Sequence, residues 1–234
     1  MHEIIRPQKI PHLFKINSSK KSIATENLTP GAAVYGERVV NDDKKEYRIW
    51  DPNRSKMAAL IVKGYIPTID ERSKVLYLGA ASGTTASHIS DLVSGGVIYA
   101  VEFSPMPMQN LIRVCESRMN MIPIFEDAYH PEKYLPMVDE VDMIYQDVAQ
   151  REQAEIALLN SRHFLRMDGL LVLMLKARSI DSTARPRDVI EAEKEKLIDD
   201  FDIIKSLDLK PFHKDHVAII ARYGGEGDER KNTG

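Results

Sequence analysis

The sequence has 234 residues, of which 43% are hydrophobic, so it is long enough for one α/β domain with a substantial core and a smaller additional domain. Its formal net charge of −3 excludes a protein that holds nucleic acid by electrostatics alone, because phosphate contacts need clustered Lys and Arg. It has no uninterrupted apolar run of about 18 residues and no apolar signal segment near residue 1, from which we expect a soluble, cytoplasmic protein.

The first 50 residues differ in pattern from the rest of the chain. Short β-like runs at 13–16, 33–40 and 46–49 are separated by Pro, Gly and Asn-Asp, which predicts a small antiparallel β domain over residues 1–50. Residues 1–25 carry five basic residues against one acidic residue, and we interpret this local charge as a solvated face.

After residue 50, β-like and helical segments alternate, which predicts a parallel sheet wound on both faces. Strands are expected at 75–78, 97–103, 121–125, 141–146 and 170–176, and helices from residue 84, from residue 106 and over 154–164. The helix from residue 106 has Met108, Leu111, Ile112 and Cys115 at i, i+3, i+4 and i+7, so these four should face the sheet. We therefore interpret Cys115, the single cysteine, as a core residue.

The last part of the chain predicts a hairpin. A charged helix over 187–200 leads to strands at 202–209 and 216–223, and the short connection between these strands requires an antiparallel pair. A mostly parallel seven-stranded sheet that ends in an antiparallel C-terminal hairpin is typical of the Rossmann-like fold of S-adenosylmethionine-dependent methyltransferases. We predict this fold over residues 51–223, followed by a disordered polar tail over 224–234.

The turn after the first strand of the predicted sheet indicates a cofactor site. Gly79 and Gly83 allow a tight bend and a close approach, while Thr84 and Thr85 could cap the following helix. Glu102 lies 19 positions after Gly83, the separation at which a carboxylate can accept hydrogen bonds from both ribose hydroxyls of an adenosine. Nicotinamide dinucleotides and S-adenosylmethionine both present that ribose, and a turn of this kind can also serve packing alone.

The spacing of the turn favours one cofactor over the other. Gly79-x-Ala81-x-Gly83 departs from the G-x-G-x-x-G that a pyrophosphate needs, and this favours S-adenosylmethionine. The carboxyl ends of parallel strands meet at one crevice, so residues after later strands should join the site. There the Asp127 carboxylate could accept from an adenine amino group, or it could simply form a turn. The predicted cofactor-binding residues are Gly79, Ala81, Gly83, Thr84, Thr85, Glu102, Phe103, Asp127, Ala128, Asp147, Val148, Ala149 and Gln150.

Seven segments together closely resemble one family, fibrillarin, in its archaeal form. They are WDPNRSKMAA, GAASGTTASHISD, YAVEFSP, EDAYHPEKY, IYQDVAQ, KARSID and KDHVAIIARY, and they follow the family's order over almost the whole chain. The sequence shows no Gly-Arg-rich N-terminal extension of the eukaryotic kind. The resemblance implies an enzyme that methylates the ribose 2′-hydroxyl of rRNA or tRNA, directed by a box C/D guide RNA within a ribonucleoprotein.

The resemblance also implies partners and a catalytic quartet. The partners are a Nop-domain scaffold protein and, through it, a kink-turn-binding protein and the guide RNA. The quartet, which we expect to act without a metal, is Lys56, Asp147, Lys176 and His216. Our hypothesis is that Lys176 is the base, that Asp147 orients it, and that Lys56 and His216 complete the polar network.

Two alternative functions stay open, and the role of five basic residues is also undecided. The chain could be a stand-alone methyltransferase on another substrate, or a non-catalytic structural subunit of a ribonucleoprotein, although the presence of the whole quartet argues against the latter. Five basic residues near the site in sequence could hold RNA phosphates or could serve solubility alone. They are Arg178, Arg185, Arg187, Lys210 and Lys214.

Overall fold

The N-terminal part of the chain forms a five-stranded antiparallel sheet. We describe a computed structural model that covers residues 3–5, 10–17, 21–42 and 45–227. The strands are β1 (Glu3–Ile5), β2 (Leu13–Asn17), β3 (Lys21–Glu26), β4 (Val39–Asp42) and β5 (Lys45–Trp50). They lie in the order β1-β2-β3-β5-β4. The antiparallel arrangement confirms that part of the fold prediction, although β1 and β3 were not foreseen.

The strand predicted over 33–40 was wrong for most of its length, because β4 begins only at Val39. The Glu37 carboxylate accepts hydrogen bonds from the backbone N–H groups of Val34 and Tyr35, so these donors are not available to a β-ladder. Gly36 has a φ of +75°, which also interrupts extended backbone. The segment 33–38 is therefore a turn held by its own side chain.

The second sheet has seven strands, as predicted. They are β6 (Lys74–Leu78), β7 (Val97–Val101), β8 (Met121–Ile124), β9 (Val141–Gln146), β10 (Leu165–Lys176), β11 (Phe201–Asp208) and β12 (His216–Tyr223). Their order is β11-β12-β10-β9-β6-β7-β8. The neighbours from β10 to β8 are parallel, while β12 runs antiparallel to β10 and β11. This confirms the mostly parallel sheet with an antiparallel C-terminal hairpin.

Helices cover both faces of this sheet. They are α1 (Lys56–Val62), α2 (Thr84–Leu92), α3 (Pro105–Glu116), α4 (Gln153–Phe164), α5 (Ala177–Ile180) and α6 (Pro186–Leu197). Alternate residues of each strand enter two separate cores, one shared with α1, α2 and α3 and the other with α4 and α6. Helices α1 and α5 were not predicted, and α6 ends at Leu197 rather than at residue 200. No helix of the described ranges is long and apolar enough to cross a membrane.

Helix α3 buries a narrower stripe than its sequence predicts. Met108 and Leu111 are buried, but Ile112 is 43% exposed, so its assignment to the sheet face was wrong. The helix packs near the edge strand β8, and Val114 and Cys115 pack partly against the core instead. Burial raises the pKa of the Cys115 thiol to about 11, which fits a packing residue rather than a nucleophile.

A group of buried polar side chains joins the two sheets, and we call it the interface cluster. Its members are Thr25, Arg48, His88, Asp91 and Arg118, all within about 1% of complete burial. Both guanidinium groups pair with the Asp91 carboxylate, at 2.8 and 2.6 Å. These ion pairs connect β5 with α2 and with the end of α3. The domain boundary proposed near residue 50 stays a prediction, and most of the predicted tail lies outside the described residues.

Candidate functional site

The turn between β6 and α2 contains two glycines with different neighbours. Gly79 has a φ of +80°, and a Cβ there would lie 2.7 Å from the carbonyl oxygen of Asp147. Gly83 has a φ of +85°, and a Cβ there would contact the side chains of Leu111 and Val114. Gly79 therefore permits the close approach of the end of β9, whereas Gly83 permits packing of the turn against α3.

The two threonines do not cap α2, contrary to the sequence prediction. Gly83 is the N-cap residue, and no side chain caps the helix there. Thr84 is the first helical residue, and its side chain lines a cavity. The buried Thr85 hydroxyl donates to the Ser55 hydroxyl oxygen at 2.9 Å, which links the start of α2 to the start of α1.

Two adjoining cavities lie at the carboxyl ends of the parallel strands. The quartet cavity, of about 380 Å³, is lined by all four predicted catalytic residues, Lys56, Asp147, Lys176 and His216. The glutamate cavity, of about 250 Å³, is lined by residues that include Glu102, Phe103, Ser104, Ala128 and Gln150. The two cavities share the walls Gly79, Ala81, Asp147, Val148 and Ala149. Their joint size suits one small-molecule ligand, since such sites measure roughly 300–1,000 Å³. Of the predicted cofactor-binding residues, only Gly83 and Asp127 line neither cavity.

The Glu102 carboxylate is buried at the junction of these cavities. It accepts hydrogen bonds from the backbone N–H of Ala81 at 2.9 Å and from that of Ser104 at 2.7 Å. An ionised carboxylate offers about four acceptor positions, so about two remain for a ligand. This geometry suits the predicted contact with a pair of ribose hydroxyls.

Asp127 binds the neighbouring Gln150 side chain and does not itself line the glutamate cavity. Its Oδ1 accepts from the backbone N–H of Tyr129 and from the Gln150 amide nitrogen, both at 2.9 Å. The Gln150 Oε1 is buried and has no hydrogen-bond partner within the described part of the chain. Gln150, which does line the glutamate cavity, is therefore held in place by Asp127. The direct adenine contact expected of Asp127 stays a prediction.

Lys56 and Asp147 form a close ion pair inside the quartet cavity. The Lys56 Nζ lies 2.7 and 2.8 Å from the two carboxylate oxygens of Asp147, and the two side chains are only 19% and 20% exposed. Ser55 caps α1 by accepting from the Ala58 N–H, so Lys56 stands at the first position of the helix. The Asp147 N–H donates to the Leu78 carbonyl, which places its side chain beside the Gly79 turn.

Lys176 occupies the same cavity without such a partner. It is the last residue of β10, and its backbone N–H donates to the Gln153 side chain at 3.0 Å. No carboxylate of the described residues lies within 4 Å of its ammonium group. In this structure Asp147 binds Lys56, and the expectation that it orients Lys176 and the substrate stays a prediction.

His216 faces Lys176 across the antiparallel pair of β10 and β12, where the two residues are direct register partners. Its Nδ1–H donates to the Lys214 carbonyl at 2.7 Å. Burial, followed by the nearby Lys56 ammonium, lowers the pKa of the imidazole. The ring is therefore neutral near pH 7, and its lone pair is on Nε2.

His213 is a neighbour that the sequence did not reveal. Its ring lies 5.9 Å from that of His216, and its Nε2–H donates to the Pro52 carbonyl at 2.9 Å. Burial and the Lys56 ammonium lower its pKa as well. This hydrogen bond joins the 210–215 connection to the loop before α1, so His213 positions two walls of the quartet cavity relative to each other. The only signal in the sequence was its three-residue separation from His216.

Of the five basic residues predicted near the site, three form ion pairs with nearby aspartates and two are exposed without such a pair in the described ranges. Arg178 pairs with Asp215 at 3.6 Å, Arg185 with Asp188 at 2.8 Å and Lys210 with Asp208 at 3.7 Å, while Arg187 and Lys214 are exposed. Their contact with RNA stays a prediction. No group of three or more His, Cys, Asp or Glu in the described ranges could hold a metal ion.

Comparison with known proteins shows extensive similarity to one family. A family model described as fibrillarin matches residues 5–225. The fibrillarin-like rRNA/tRNA 2′-O-methyltransferase of Methanopyrus kandleri is 53% identical over 210 residues, covering 88% of this chain and 90% of that protein. A solved structure of Aeropyrum pernix fibrillarin with natively bound S-adenosyl-L-methionine has a TM-score of 0.86 and 43% identity, covering 94% of this chain and 97% of that one. A fibrillarin in complex with Nop5p has a TM-score of 0.84 and 42% identity, covering 91% and 97% of the two chains.

Proposed function

This chain belongs to the fibrillarin family, and we propose that it transfers a methyl group from S-adenosyl-L-methionine to the ribose 2′-hydroxyl of rRNA or tRNA. One observation carries the proposal beyond membership of the family. Lys56, Asp147, Lys176 and His216 come from four separate elements and line a single cavity that opens into the predicted cofactor site. A non-catalytic subunit would have no need of this convergence.

The residues of the two cavities fit S-adenosyl-L-methionine. Glu102 retains about two acceptor positions for ribose hydroxyls, and Gln150 lines the same cavity. Asp147 supplies a carboxylate on the wall that the two cavities share. When bound, this cofactor supplies an electrophilic methyl group on sulfur.

The quartet would activate the ribose hydroxyl, which is a poor nucleophile until its proton is removed. Asp147 fixes Lys56 through two hydrogen bonds, so the Lys56 ammonium is a positioned cation that can stabilise developing negative charge on the oxygen. Lys176 lines the same cavity without a carboxylate partner among the described residues, and in its proposed role as the base it takes the hydroxyl proton. The neutral His216 ring keeps an acceptor at Nε2 on the wall of this cavity and completes the polar network.

We assign a Nop-domain scaffold protein as the partner of this chain. The fibrillarin solved with Nop5p resembles this chain over nearly its whole length, which supports the assignment. Through the scaffold, the chain would join a kink-turn-binding protein, the box C/D guide RNA and the target RNA. A formal net charge of −3 suits a subunit that leaves most RNA capture to its partners in the cytoplasm.

A transfer assay with tritiated S-adenosyl-L-methionine tests the function. The purified chain is given a matched target RNA, with and without the scaffold protein, the kink-turn-binding protein and the guide RNA. We expect label on the 2′-hydroxyl of the guided target nucleotide only in the complete assembly. Equal labelling by the isolated chain would contradict dependence on partners, and absence of label in a correctly assembled particle would contradict the enzymatic function.

A further inference from the structure

A third cavity adjoins the quartet cavity on the side of the N-terminal sheet. This flanking cavity has a volume of about 770 Å³, and its walls include Tyr35, Trp50, Asn53, Arg54 and Phe212. Arg54 lines both this cavity and the quartet cavity. It precedes Lys56 by two residues, so a chain that reaches the quartet from this side must pass its guanidinium group.

The Arg54 side chain is held in place without being neutralised. Its guanidinium carbon lies 4.9 Å from the centre of the Tyr35 ring, and Nη1 donates to the Tyr35 carbonyl at 3.3 Å. No carboxylate within the described ranges forms an ion pair with it. A stacked guanidinium with free donors is well suited to bind the oxygens of a phosphate.

The wall under Arg54 is rigidly supported. The Tyr35 hydroxyl donates to Nε2 of the buried His88 at 2.7 Å, and the Tyr35 N–H donates to the Glu37 carboxylate at 2.8 Å. Glu37 also lines the flanking cavity, but its charge is neutralised by Arg48 at 2.6 Å. Arg54 is therefore a positioned positive charge on this wall, where the Glu37 carboxylate is paired with Arg48 and the Asp51 carboxylate accepts hydrogen bonds from Asn53.

The flanking cavity also has the chemistry of a nucleobase site. Tyr35 and Phe212 contribute partly exposed aromatic surface, and the Asn53 amide, which donates to the Asp51 carboxylate at 2.9 Å, keeps its own oxygen as an acceptor. Trp50 is completely buried and stacks on His88 at 4.8 Å, so it supports this wall from behind. Proteins that bind single-stranded nucleic acid combine aromatic side chains with nearby cations in this way.

We propose that the flanking cavity binds the nucleotide next to the methylated ribose, with Arg54 contacting the phosphate that joins the two nucleotides. This inference rests on the proposed function, because it assumes that a ribose occupies the quartet cavity. It makes Arg54 a determinant of RNA binding that lies outside the quartet. It also gives the N-terminal sheet, through Tyr35 and Trp50, a part in holding the substrate.

The test uses the complete ribonucleoprotein and a target RNA strand, with Arg54→Ala, Arg54→Lys and a matched control, Arg72→Ala. Arg72 is an exposed arginine just before β6, at the amino ends of the parallel strands, whereas the site lies at their carboxyl ends. Arg54→Ala should weaken RNA binding about tenfold and reduce the slope of log affinity against log salt by about one, since one phosphate contact is lost. The affinity for S-adenosyl-L-methionine should change less than about twofold if only this phosphate contact is lost.

The conservative variant and a crosslink separate the possible outcomes. Arg54→Lys should restore the salt slope but only part of the affinity, because lysine lacks the planar fork. A photoreactive base beside the target nucleotide should crosslink to Tyr35 or Phe212. Unchanged RNA affinity and salt slope in Arg54→Ala would overturn the inference, and so would crosslinks confined to other surfaces. Normal methylation by the wild-type particle would still leave the proposed function intact. Binding and crosslinking are read without turnover, so failure of methylation would refute the proposed function separately.

Discussion

The interface cluster and the catalytic quartet contain the same kinds of side chain, namely two cations, one aspartate and one histidine. In the interface cluster the Asp91 carboxylate accepts hydrogen bonds from Thr25, Leu28, Arg48 and Arg118. Every acceptor position of that carboxylate is used, and water has no access. A ligand could bind there only by displacing part of the fold.

The quartet, in contrast, leaves part of its hydrogen-bonding capacity unused. Asp147 binds Lys56, but both side chains keep about one fifth of their surface exposed in the cavity. Lys176 is exposed and has no carboxylate partner within the described ranges, and His216 uses only one ring nitrogen in hydrogen bonds to the described residues. The comparison shows that residue type does not distinguish a structural cluster from a reactive one. The unfilled hydrogen-bonding capacity and the open cavity do.

The sharpest way to test this contrast is to remove the proposed base. Lys176→Met keeps the length and much of the volume of the side chain but removes the amine. We expect methylation by the assembled particle to fall by about a hundredfold to ten-thousandfold, the range typical of a lost general base. Affinity for S-adenosyl-L-methionine and the melting temperature should change little, because Lys176 is exposed and forms no ion pair with the described carboxylates.

The outcome of this substitution also decides between members of the quartet. A rate near that of the wild type at normal cofactor affinity would show that Lys176 is not the base. His216, whose ring is neutral because its pKa is lowered, would then be the next candidate. A parallel Lys205→Met variant controls for loss of a lysine, because Lys205 is an exposed residue of the edge strand β11.

The corresponding change in the interface cluster should affect stability instead of chemistry. Asp91→Asn removes the negative charge between two buried guanidinium groups. Because it leaves uncompensated buried charge, we expect the free energy of unfolding to fall by about 3–5 kcal/mol. Chemical denaturation of the isolated chain, followed by circular dichroism, measures this loss.

An exposed ion pair provides the matched control for that experiment. Asp139 pairs with Lys74 at 2.8 Å on the surface, and exposed pairs contribute little to stability. Asp139→Asn should therefore leave the denaturation midpoint almost unchanged. If Asp91→Asn behaved in the same way, the interface cluster would not hold the two sheets together as its burial implies.

The sequence predicts most of the second sheet because its strands are short apolar runs separated by helical periodicity. The convergence of Asp147 and Glu102 followed from their positions after parallel strands, whereas Lys176 was assigned from the family resemblance. The start of α1 could also have been read, since Ser55 is a good N-cap before an apolar run. What the pattern could not specify was which lysine Asp147 binds, because that depends on a difference of a few ångströms between side chains.

The segment 33–38 shows a second kind of limit. Its residue types favour a strand, but the Glu37 carboxylate satisfies the N–H groups that a strand would use. Likewise, the closeness of His213 to the quartet depends on the fold of the 210–215 connection, and a carbonyl at Pro52 fixes it there. Long-range hydrogen bonds of this kind leave no periodic trace in the sequence.

His88 of the interface cluster and His216 of the quartet give the finest test of the contrast between the two groups, through the pH dependence of stability. In the interface cluster, the Thr25 hydroxyl donates its proton to Asp91, so Nδ1–H of His88 donates to Thr25 and Nε2 accepts from Tyr35. Burial, and then the charges of Arg48 and Arg118, lower the pKa of His88 well below its ordinary value of 6.5.

Below pH 6.5 the unfolded chain therefore binds a proton at His88 that the folded chain does not bind. Stability from the neutral ring is fully present above that pH and is lost as the pH falls towards the folded pKa, by up to about 1.4 kcal/mol per pH unit. His88→Asn, whose amide can replace the Nδ1–H, should flatten this loss between pH 6.5 and 5. His216→Asn should flatten it less, because the half-buried His216 ring can take up a proton without disrupting the core. Equal slopes in wild type and His88→Asn would contradict this assignment, and a larger effect of His216→Asn would reverse the contrast between the two clusters.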